Sequence, residues 1–176
     1  MCWLGFFLQQ SNVLGQGVYQ QQIQSIFELS NAIDGLSPAC ISANTGAEWR
    51  CNFAPTAFAH VRTPVFVIDS SIDLWQSRCI MTATPGNCAA VEGWEACGAD
   101  ISSCTQTQMY AVVGYQGQFV TQLTTVPSFA EQRNSAFIHS CFTHCAAMGD
   151  SACICARALC FATFALRIAL PCHMTL

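Results

Sequence analysis

The sequence predicts an α/β fold in which short parallel strands are flanked by helices. Two apolar runs of strand-forming residues, 65–68 and 136–138, predict short strands, and the first has the composition of a strand buried on both faces, which is typical of a parallel sheet. Apolar residues recur at helical spacing over 18–33 and 106–125, which predicts a helix before each strand. The connecting stretches are polar and rich in cysteine. The predicted fold class is therefore α/β, with an incomplete parallel sheet, flanking helices and disulfide-stapled loops.

The composition indicates a single domain that belongs to a larger apolar core. A chain of 176 residues is long enough for a single domain. Hydrophobic residues make up 52% and charged residues 9%, whereas charged residues make up roughly 25% of an ordinary globular chain. Either a membrane protein or a piece of a larger core has such a composition. A piece of a larger core is favoured, because no apolar run reaches the roughly 18 residues of a spanning helix. No transmembrane span is therefore expected.

Charge and cysteine content restrict the partners and the compartment. The net charge is −4, lysine is absent and the six arginines are scattered, so a nucleic acid partner is not expected. Thirteen cysteines indicate disulfides and an oxidising compartment. The start, MCWLGFFLQQ, lacks the features of a signal peptide. We therefore expect a secreted parent protein whose true N-terminus is missing from this chain.

The first predicted helix, 18–33, places Tyr19 and Ile26 on an apolar face and glutamines on the other. Residues 37–55 then form a polar loop bounded by Cys40 and Cys51. A disulfide between these two cysteines would contribute roughly 3 kcal/mol by restricting the unfolded chain.

The strand at 65–68 is followed by a stretch, 77–105, that is rich in Cys, Gly, Ala and Ser, which predicts an irregular insertion. Candidate pairs within it are Cys79 with Cys88 and Cys97 with Cys104, although sequence alone does not fix the connectivity. The helix at 106–125 and the strand at 136–138 come next. The apolar stretch 152–170 is broken by arginines and has the pattern of an amphipathic helix.

Asp73 follows the first predicted strand and His144 follows the second. Enzymes of the α/β-hydrolase type carry their catalytic acid and histidine at the carboxyl ends of strands, after a nucleophile. In such a site the acid orients the histidine, which takes a proton from a serine. Asp69 and His139 are rival candidates, and spacing alone leaves the choice open.

A simpler interpretation exists for each of these residues. An aspartate after a strand is usually a turn residue or a helix cap, and a loop histidine is usually structural. The serine motif G-x-S-x-G, which should precede the acid, does not occur in the sequence.

Five stretches, in order, resemble the pectin acetylesterase/Notum family. Residues 60–76, HVRTPVFVIDSSIDLWQ, are similar to the family's R/K-T/S-P-L-F strand and Y/F-D-x-W-Q loop, and residues 137–145, FIHSCFTHC, are similar to its F-I-N-S-C-Y-A-H-C. The other three are 36–55 (L-P-x-x-C…C-F-F-P in the family), 97–106 (C-x-L-D-I-x-x-C-S) and 5–8, GFFL, which is similar to a segment downstream of the nucleophile.

The resemblance implies a role for each matched residue. It assigns the catalytic acid to Asp73 and the catalytic base to His144. It ranks Asp69, placed in a strand-end turn, and His139, which occupies the family's Asn position, below them. Trp75 is expected to pack beside the acid. The cysteines implied to form disulfides or to brace the histidine loop are Cys40 with Cys51, Cys97 with Cys104, Cys141 and Cys145.

The resemblance also implies the domain organisation. Residues 1–150 correspond to the C-terminal portion of an α/β-hydrolase domain, and 151–176 form a divergent, apolar, cysteine-containing tail. The nucleophile and its oxyanion hole are expected in a missing N-terminal half. The predicted fold is thus a partial α/β-hydrolase fold.

The implied function is a carboxylic ester hydrolase that deacetylates a polysaccharide such as pectin, without a cofactor. This chain alone is expected to be inactive, because it lacks the serine. One alternative is a zinc-binding module that uses ligands among Cys141, His144, Cys145, Cys153 and Cys155, whose spacing matches no standard zinc pattern. Another is a disulfide-stapled binding module without catalytic activity.

Overall fold

In the described part of the chain, four short parallel strands form one sheet. The computed structural model describes residues 2–3, 5–131, 133–144 and 167–168. The strands lie in chain order and all pair in parallel. They are β1 (Cys2–Trp3), β2 (Phe66–Ser70), β3 (Ser135–His139) and β4 (Arg167–Ile168). In the central pair, β2 and β3, the register runs from Phe66 opposite Ser135 to Ser70 opposite His139. The expected parallel arrangement is therefore present. Strand β4 falls within the stretch 152–170, so the prediction of a helix there is wrong for these two residues, and the rest of that stretch lies outside the described residues.

The two central strands differ from the prediction in length and in burial. Val67, Ala136 and Ile138 are buried on one face, whereas Phe66 and Phe137 on the other are 45% and 43% exposed. The expectation that the strand at 65–68 is buried on both faces is therefore wrong at Phe66. Strand β2 also runs two residues beyond the apolar run, to Ser70, because its last polar groups find hydrogen-bond partners in the interior.

The described residues also form seven α-helical segments. They are α1 (Val18–Ser30), α2 (Pro38–Ala43), α3 (Ala54–Ala57), α4 (Leu74–Gln76), α5 (Glu95–Ala99), α6 (Gln106–Thr125) and α7 (Pro127–Ala130). The longest, α6, begins with a capping box, in which Thr105 and Gln108 satisfy each other's free backbone N–H groups. It buries one stripe of side chains, Val112, Tyr115, Phe119 and Leu123. Helical spacing of these apolar residues thus predicted the element correctly.

Helix α1 ends earlier than its apolar pattern suggests. Asn31 adopts a left-handed conformation with φ of +48° and terminates the helix, a conformation that asparagine tolerates better than most residues. The remaining predicted residues form a 3₁₀ turn, Ala32–Gly35. Ile26 is 59% exposed, so its predicted position on the inward face is wrong.

The segment predicted as a polar loop, 37–55, is largely helical. It contains α2, which starts with Pro38 at a position where proline suits a helix, and a 3₁₀ turn, Glu48–Asn52. A disulfide joins Cys40 to Cys51 across these two elements. Because both sulfur atoms lie in the interior, the bond ties the helical segment to the core.

Replacing Cys40 and Cys51 together by serine is expected to lower the free energy of unfolding by about 3 kcal/mol, because an 11-residue constraint on the unfolded chain is lost. Urea denaturation under oxidising conditions measures the difference. The free energies of unfolding of the unaltered chain and the double variant should become equal when all disulfides are reduced. A difference below about 1 kcal/mol under oxidising conditions would contradict the expectation.

The cysteine-rich insertion contributes to the core rather than only to the surface. Two disulfides, Cys79–Cys88 and Cys97–Cys104, staple it. A π-helical turn, Ser77–Met81, buries most of its side chains. The expectation of an irregular stretch therefore missed an ordered turn, whose apolar residues are hidden in a composition dominated by small and polar side chains.

Aromatic side chains fill the space between the sheet and the helices. Phe6 is completely buried and makes edge-to-face contacts with Phe58 and Phe119, at ring-centroid distances of 5.4 and 5.7 Å. Within the described part of the chain, no helix has the length and hydropathy needed to cross a membrane. The aromatic cluster also fixes the segment that precedes the first helix, which contributes to the site described next.

Candidate active site

Asp73 lies just beyond the carboxyl end of β2 and caps helix α4. Its Oδ1 accepts a hydrogen bond from the backbone N–H of Gln76 at 2.8 Å. Its Oδ2 lies 2.8 Å from Nδ1 of His144. Only 3% of the Asp73 side chain is exposed. Both carboxylate oxygens thus have defined partners, and the carboxylate is fixed in orientation.

His144 reaches Asp73 because the loop after β3 is bonded to the loop after β2. The backbone N–H of Ser71 donates to the carbonyl oxygen of His139 at 2.9 Å, and that of Leu74 donates to the carbonyl oxygen of Thr143 at 3.2 Å. Since the two strands are parallel neighbours, their carboxyl ends lie at the same edge of the sheet. The His144 side chain remains 34% exposed, so the imidazole is accessible while its partner is buried.

A second connection involves Cys141. The Ser70 hydroxyl donates to the Cys141 carbonyl oxygen at 2.6 Å in the interior, and Cys141 itself takes part in a disulfide. Three cysteines of the alternative zinc site, Cys145, Cys153 and Cys155, lie outside the described residues. Within the described residues, no group of three or more His, Cys, Asp or Glu side chains could hold a metal ion.

Two aromatic rings flank the His144 imidazole. The Phe7 ring lies nearly parallel to it at 6.2 Å, and the Trp75 ring is tilted at 6.3 Å. These two rings are also in contact with each other, with centroids 4.9 Å apart. Trp75 packs edge-to-face against Tyr19 of α1. The resemblance places Trp75 beside the acid as a packing residue, and its described ring contacts are with Phe7, Tyr19 and His144.

Gln76 holds the segment that carries Phe7. Its Oε1 accepts from the backbone N–H of Leu8 and from the Tyr115 hydroxyl, both at 3.1 Å, and its Nε2 donates to the Phe6 carbonyl oxygen at 3.3 Å. Gln76 is completely buried. Gly5 precedes this segment with φ of +134°, and a Cβ there would meet the Phe7 ring at 2.9 Å. The segment 6–8 therefore has one well-defined path beside the histidine.

The rival candidates, Asp69 and His139, lie nearby but outside the acid–histidine pair. Asp69 belongs to β2 rather than to a strand-end turn, so that part of the expectation is wrong. Burial raises its pKa to about 6, the negative charge of Asp73 acts in the same direction, and hydrogen bonds from Phe6 and Ser70 partly oppose them. His139 ends β3, and desolvation lowers its pKa.

The geometry of Asp73 and His144 suits proton transfer. A carboxylate that accepts from Nδ1–H fixes the imidazole tautomer, which leaves Nε2 free to accept a proton. The same carboxylate stabilises the imidazolium that forms. The pair can therefore serve as a general base for a hydroxyl group brought to Nε2.

Sequence reasoning did not identify Phe7 and Gln76 as parts of this site. Phe7 lies in an apolar run, where most aromatic side chains simply fill the core. Gln76 follows Trp75 at the start of a cysteine-rich stretch, and its burial depends on partners 68 and 39 residues away. A polar residue within the short motif LWQ was the only available signal.

This chain is similar to known proteins. The family model described as Pectinacetylesterase matches residues 3–174. Pectin acetylesterase 11 and Pectin acetylesterase 7 of Arabidopsis thaliana are 26% and 27% identical over 141 and 143 residues, which is 80% of this chain and 34% of each relative. The chain thus spans about a third of the length of these curated relatives. No solved structure matches it. By the extent of the family match, this chain belongs to the pectinacetylesterase family.

Proposed function

We propose that this chain supplies the acid and the histidine of a serine carboxylesterase that removes acetyl groups from a polysaccharide such as pectin. The observation that carries the proposal is the 2.8 Å contact between Asp73 Oδ2 and His144 Nδ1 at the shared edge of two parallel strands. The names of the Arabidopsis relatives support the acetyl ester as substrate. The sheet and its helices are then part of an α/β-hydrolase fold, and the disulfides Cys40–Cys51, Cys79–Cys88 and Cys97–Cys104 fit a secreted protein.

The proposed reaction is acyl transfer through a serine. The His144 imidazole takes the serine proton at Nε2 while the serine oxygen attacks the acetyl carbonyl carbon. The resulting imidazolium, stabilised by Asp73, gives its proton to the departing sugar oxygen. Water then attacks the acetyl-enzyme with His144 again as base, which releases acetate and regenerates the serine. The serine comes from a G-x-S-x-G segment, a motif absent from the 176 residues.

The chain by itself is expected to show no triad-dependent hydrolysis of p-nitrophenyl acetate. The release of p-nitrophenol should equal that of His144→Ala, and a fluorophosphonate probe should label no serine in this chain. Mass spectrometry of the treated chain provides the second measurement. A labelled serine together with a rate that falls in His144→Ala would show that the nucleophile lies within the 176 residues.

The function itself is tested in the natural polypeptide that contains this chain. Sequencing the full transcript is expected to show an in-frame G-x-S-x-G segment, and we call the encoded protein the serine-bearing protein. It should release acetate from acetylated pectin, whereas its His144→Ala variant should not. The proposal is overturned if the transcript encodes no such segment, or if the His144→Ala variant retains the acetate release of the unaltered protein.

A further inference from the structure

Two side chains hold the segment 6–8 by hydrogen bonds: Asp69 in β2 and Gln76 in α4. At one end, the backbone N–H of Phe6 donates to Asp69 Oδ2 at 2.7 Å. At the other end, Gln76 accepts from Leu8 and donates to the Phe6 carbonyl oxygen. These contacts are buried and join residues 63 to 70 positions apart. The stretch 69–76 therefore holds this segment and also carries the catalytic acid.

Phe7 lies between the two attachment points. The neighbouring Phe6 ring is locked in the aromatic core, so the backbone has little freedom to rotate. The Phe7 ring is consequently directed at the His144 imidazole, 6.2 Å away. A change in the hydrogen bond at Phe6 would alter the position of the Phe7 ring, which lies beside the imidazole of the proposed base.

The two attachment points differ in their response to pH. Gln76 carries no titratable group, whereas Asp69 has a pKa raised to about 6, mainly by burial. The described ionisable groups that interact with Asp69 are Asp73, His144 and the Tyr115 hydroxyl on α6. Asp73 favours the neutral form of Asp69 and His144 favours the charged form. A charged carboxylate accepts a hydrogen bond more strongly than a neutral carboxyl group.

We propose that Asp69 is a positioning residue, which holds Phe7 against the His144 imidazole through the Phe6 N–H and loosens this hold when its carboxylate takes up a proton. The attachment is then tight above about pH 6 and weaker below it. The positioning itself follows from the contacts alone; its effect on catalysis depends on the proposed function.

The sign of the stability effect follows from the direction of the shift. Because the folded-state pKa of Asp69 lies above its ordinary value of 3.8, the folded protein binds more protons than the unfolded chain between about pH 4 and pH 6. The contribution of Asp69 to stability therefore falls as the pH rises through this window and is constant above it. Asp69→Asn should remove this slope, whereas Asp34→Asn, at an exposed site in the turn Ala32–Gly35, should keep it.

Nuclear magnetic resonance of the labelled 176-residue chain between pH 4 and pH 8 tests the proposal directly. The Phe6 amide resonance and the Asp69 carboxyl carbon should shift with one common midpoint near pH 6. The Phe6 inflection should disappear in Asp69→Asn and persist in Asp34→Asn. It should also persist in His144→Gln, which excludes the imidazole as its source. The nuclear Overhauser contact between Phe7 and His144 should weaken below the midpoint in the wild type only.

Hydrogen exchange gives a second readout. The Phe6 amide in the wild type should exchange on the order of tenfold faster below the midpoint, after correction for intrinsic rates, than above it. A Phe6 amide without an inflection between pH 5 and pH 7, or with the same inflection in Asp69→Asn, overturns the proposal. If Asp69→Asn does not fold, the test is the comparison of the wild-type titration midpoints of the Phe6 amide and the Asp69 carboxyl carbon. Unequal midpoints also overturn the proposal. None of these measurements requires ester hydrolysis, so failure of the proposed function would be recognised separately.

Discussion

Replacing Asp73 by asparagine is expected to lower kcat/KM of the serine-bearing protein on p-nitrophenyl acetate by roughly 10³- to 10⁴-fold. Asparagine can retain the cap of α4, because its Oδ1 can still accept from the Gln76 N–H. Its amide nitrogen, which only donates, then faces His144 Nδ1. The imidazole proton must move to Nε2, and that atom can no longer take the serine proton.

Asp100 provides a matched control for this substitution. It also caps a helical turn, Ile101–Ser103, and its carboxylate accepts from the Ser102 N–H at 2.9 Å, but it does not contact His144. Asp100→Asn should leave kcat/KM unchanged, and thermal unfolding of both variants should show that they fold. Less than a tenfold loss in Asp73→Asn, or an equal loss in Asp100→Asn, would contradict the assigned role of Asp73.

Replacing Gln76 by leucine is expected to lower the free energy of unfolding by about 3 kcal/mol or more. Leucine fills a similar volume but leaves three buried groups without their partner: the Leu8 N–H, the Phe6 carbonyl and the Tyr115 hydroxyl. Each buried group left unsatisfied costs about 1–3 kcal/mol. Urea denaturation measures the change, and the loss should be greater than that of any single hydrogen bond.

Helix α6 offers the control. Gln118 is exposed on that helix, so Gln118→Leu should change the stability by no more than about 0.5 kcal/mol. The double variant Gln76→Leu with Tyr115→Phe should lose less than the sum of the two single changes, because both remove the same hydrogen bond. Strict additivity, or a cost below about 1 kcal/mol for Gln76→Leu, would argue against the described network.

The two central strands were predictable from the sequence because short runs of β-branched and aromatic residues have few alternatives in a chain of this composition. Once β2 and β3 are known to be parallel neighbours, geometry brings the residues after them to one edge of the sheet. The encounter of Asp73 with His144 follows from that arrangement, while their catalytic role stays a prediction. The choice between Asp69 and Asp73 did not follow from spacing and came from the family resemblance.

Other parts of the site were not predictable because they depend on contacts between distant residues. Nothing local to Phe6 indicates that its N–H binds Asp69, 63 residues later. The buried amide of Gln76 likewise resembles an ordinary surface glutamine in the sequence. Helix α1 shows the opposite case, since the apolar Ile26 is exposed. Periodicity reports an average preference for burial, whereas the path of segment 6–8 depends on individual hydrogen bonds.

The single register between β2 and β3 has a consequence for insertions and deletions. Moving β3 by one residue along β2 would shift the following loop by about 3.3 Å and turn the strand's side chains to the opposite face. A contact of 2.8 Å between Asp73 and His144 cannot survive such a displacement. Insertions or deletions in the interval 140–143, which joins β3 to His144, should therefore abolish the pair. The contact between Asp73 and His144 therefore depends on this one alignment of β2 with β3.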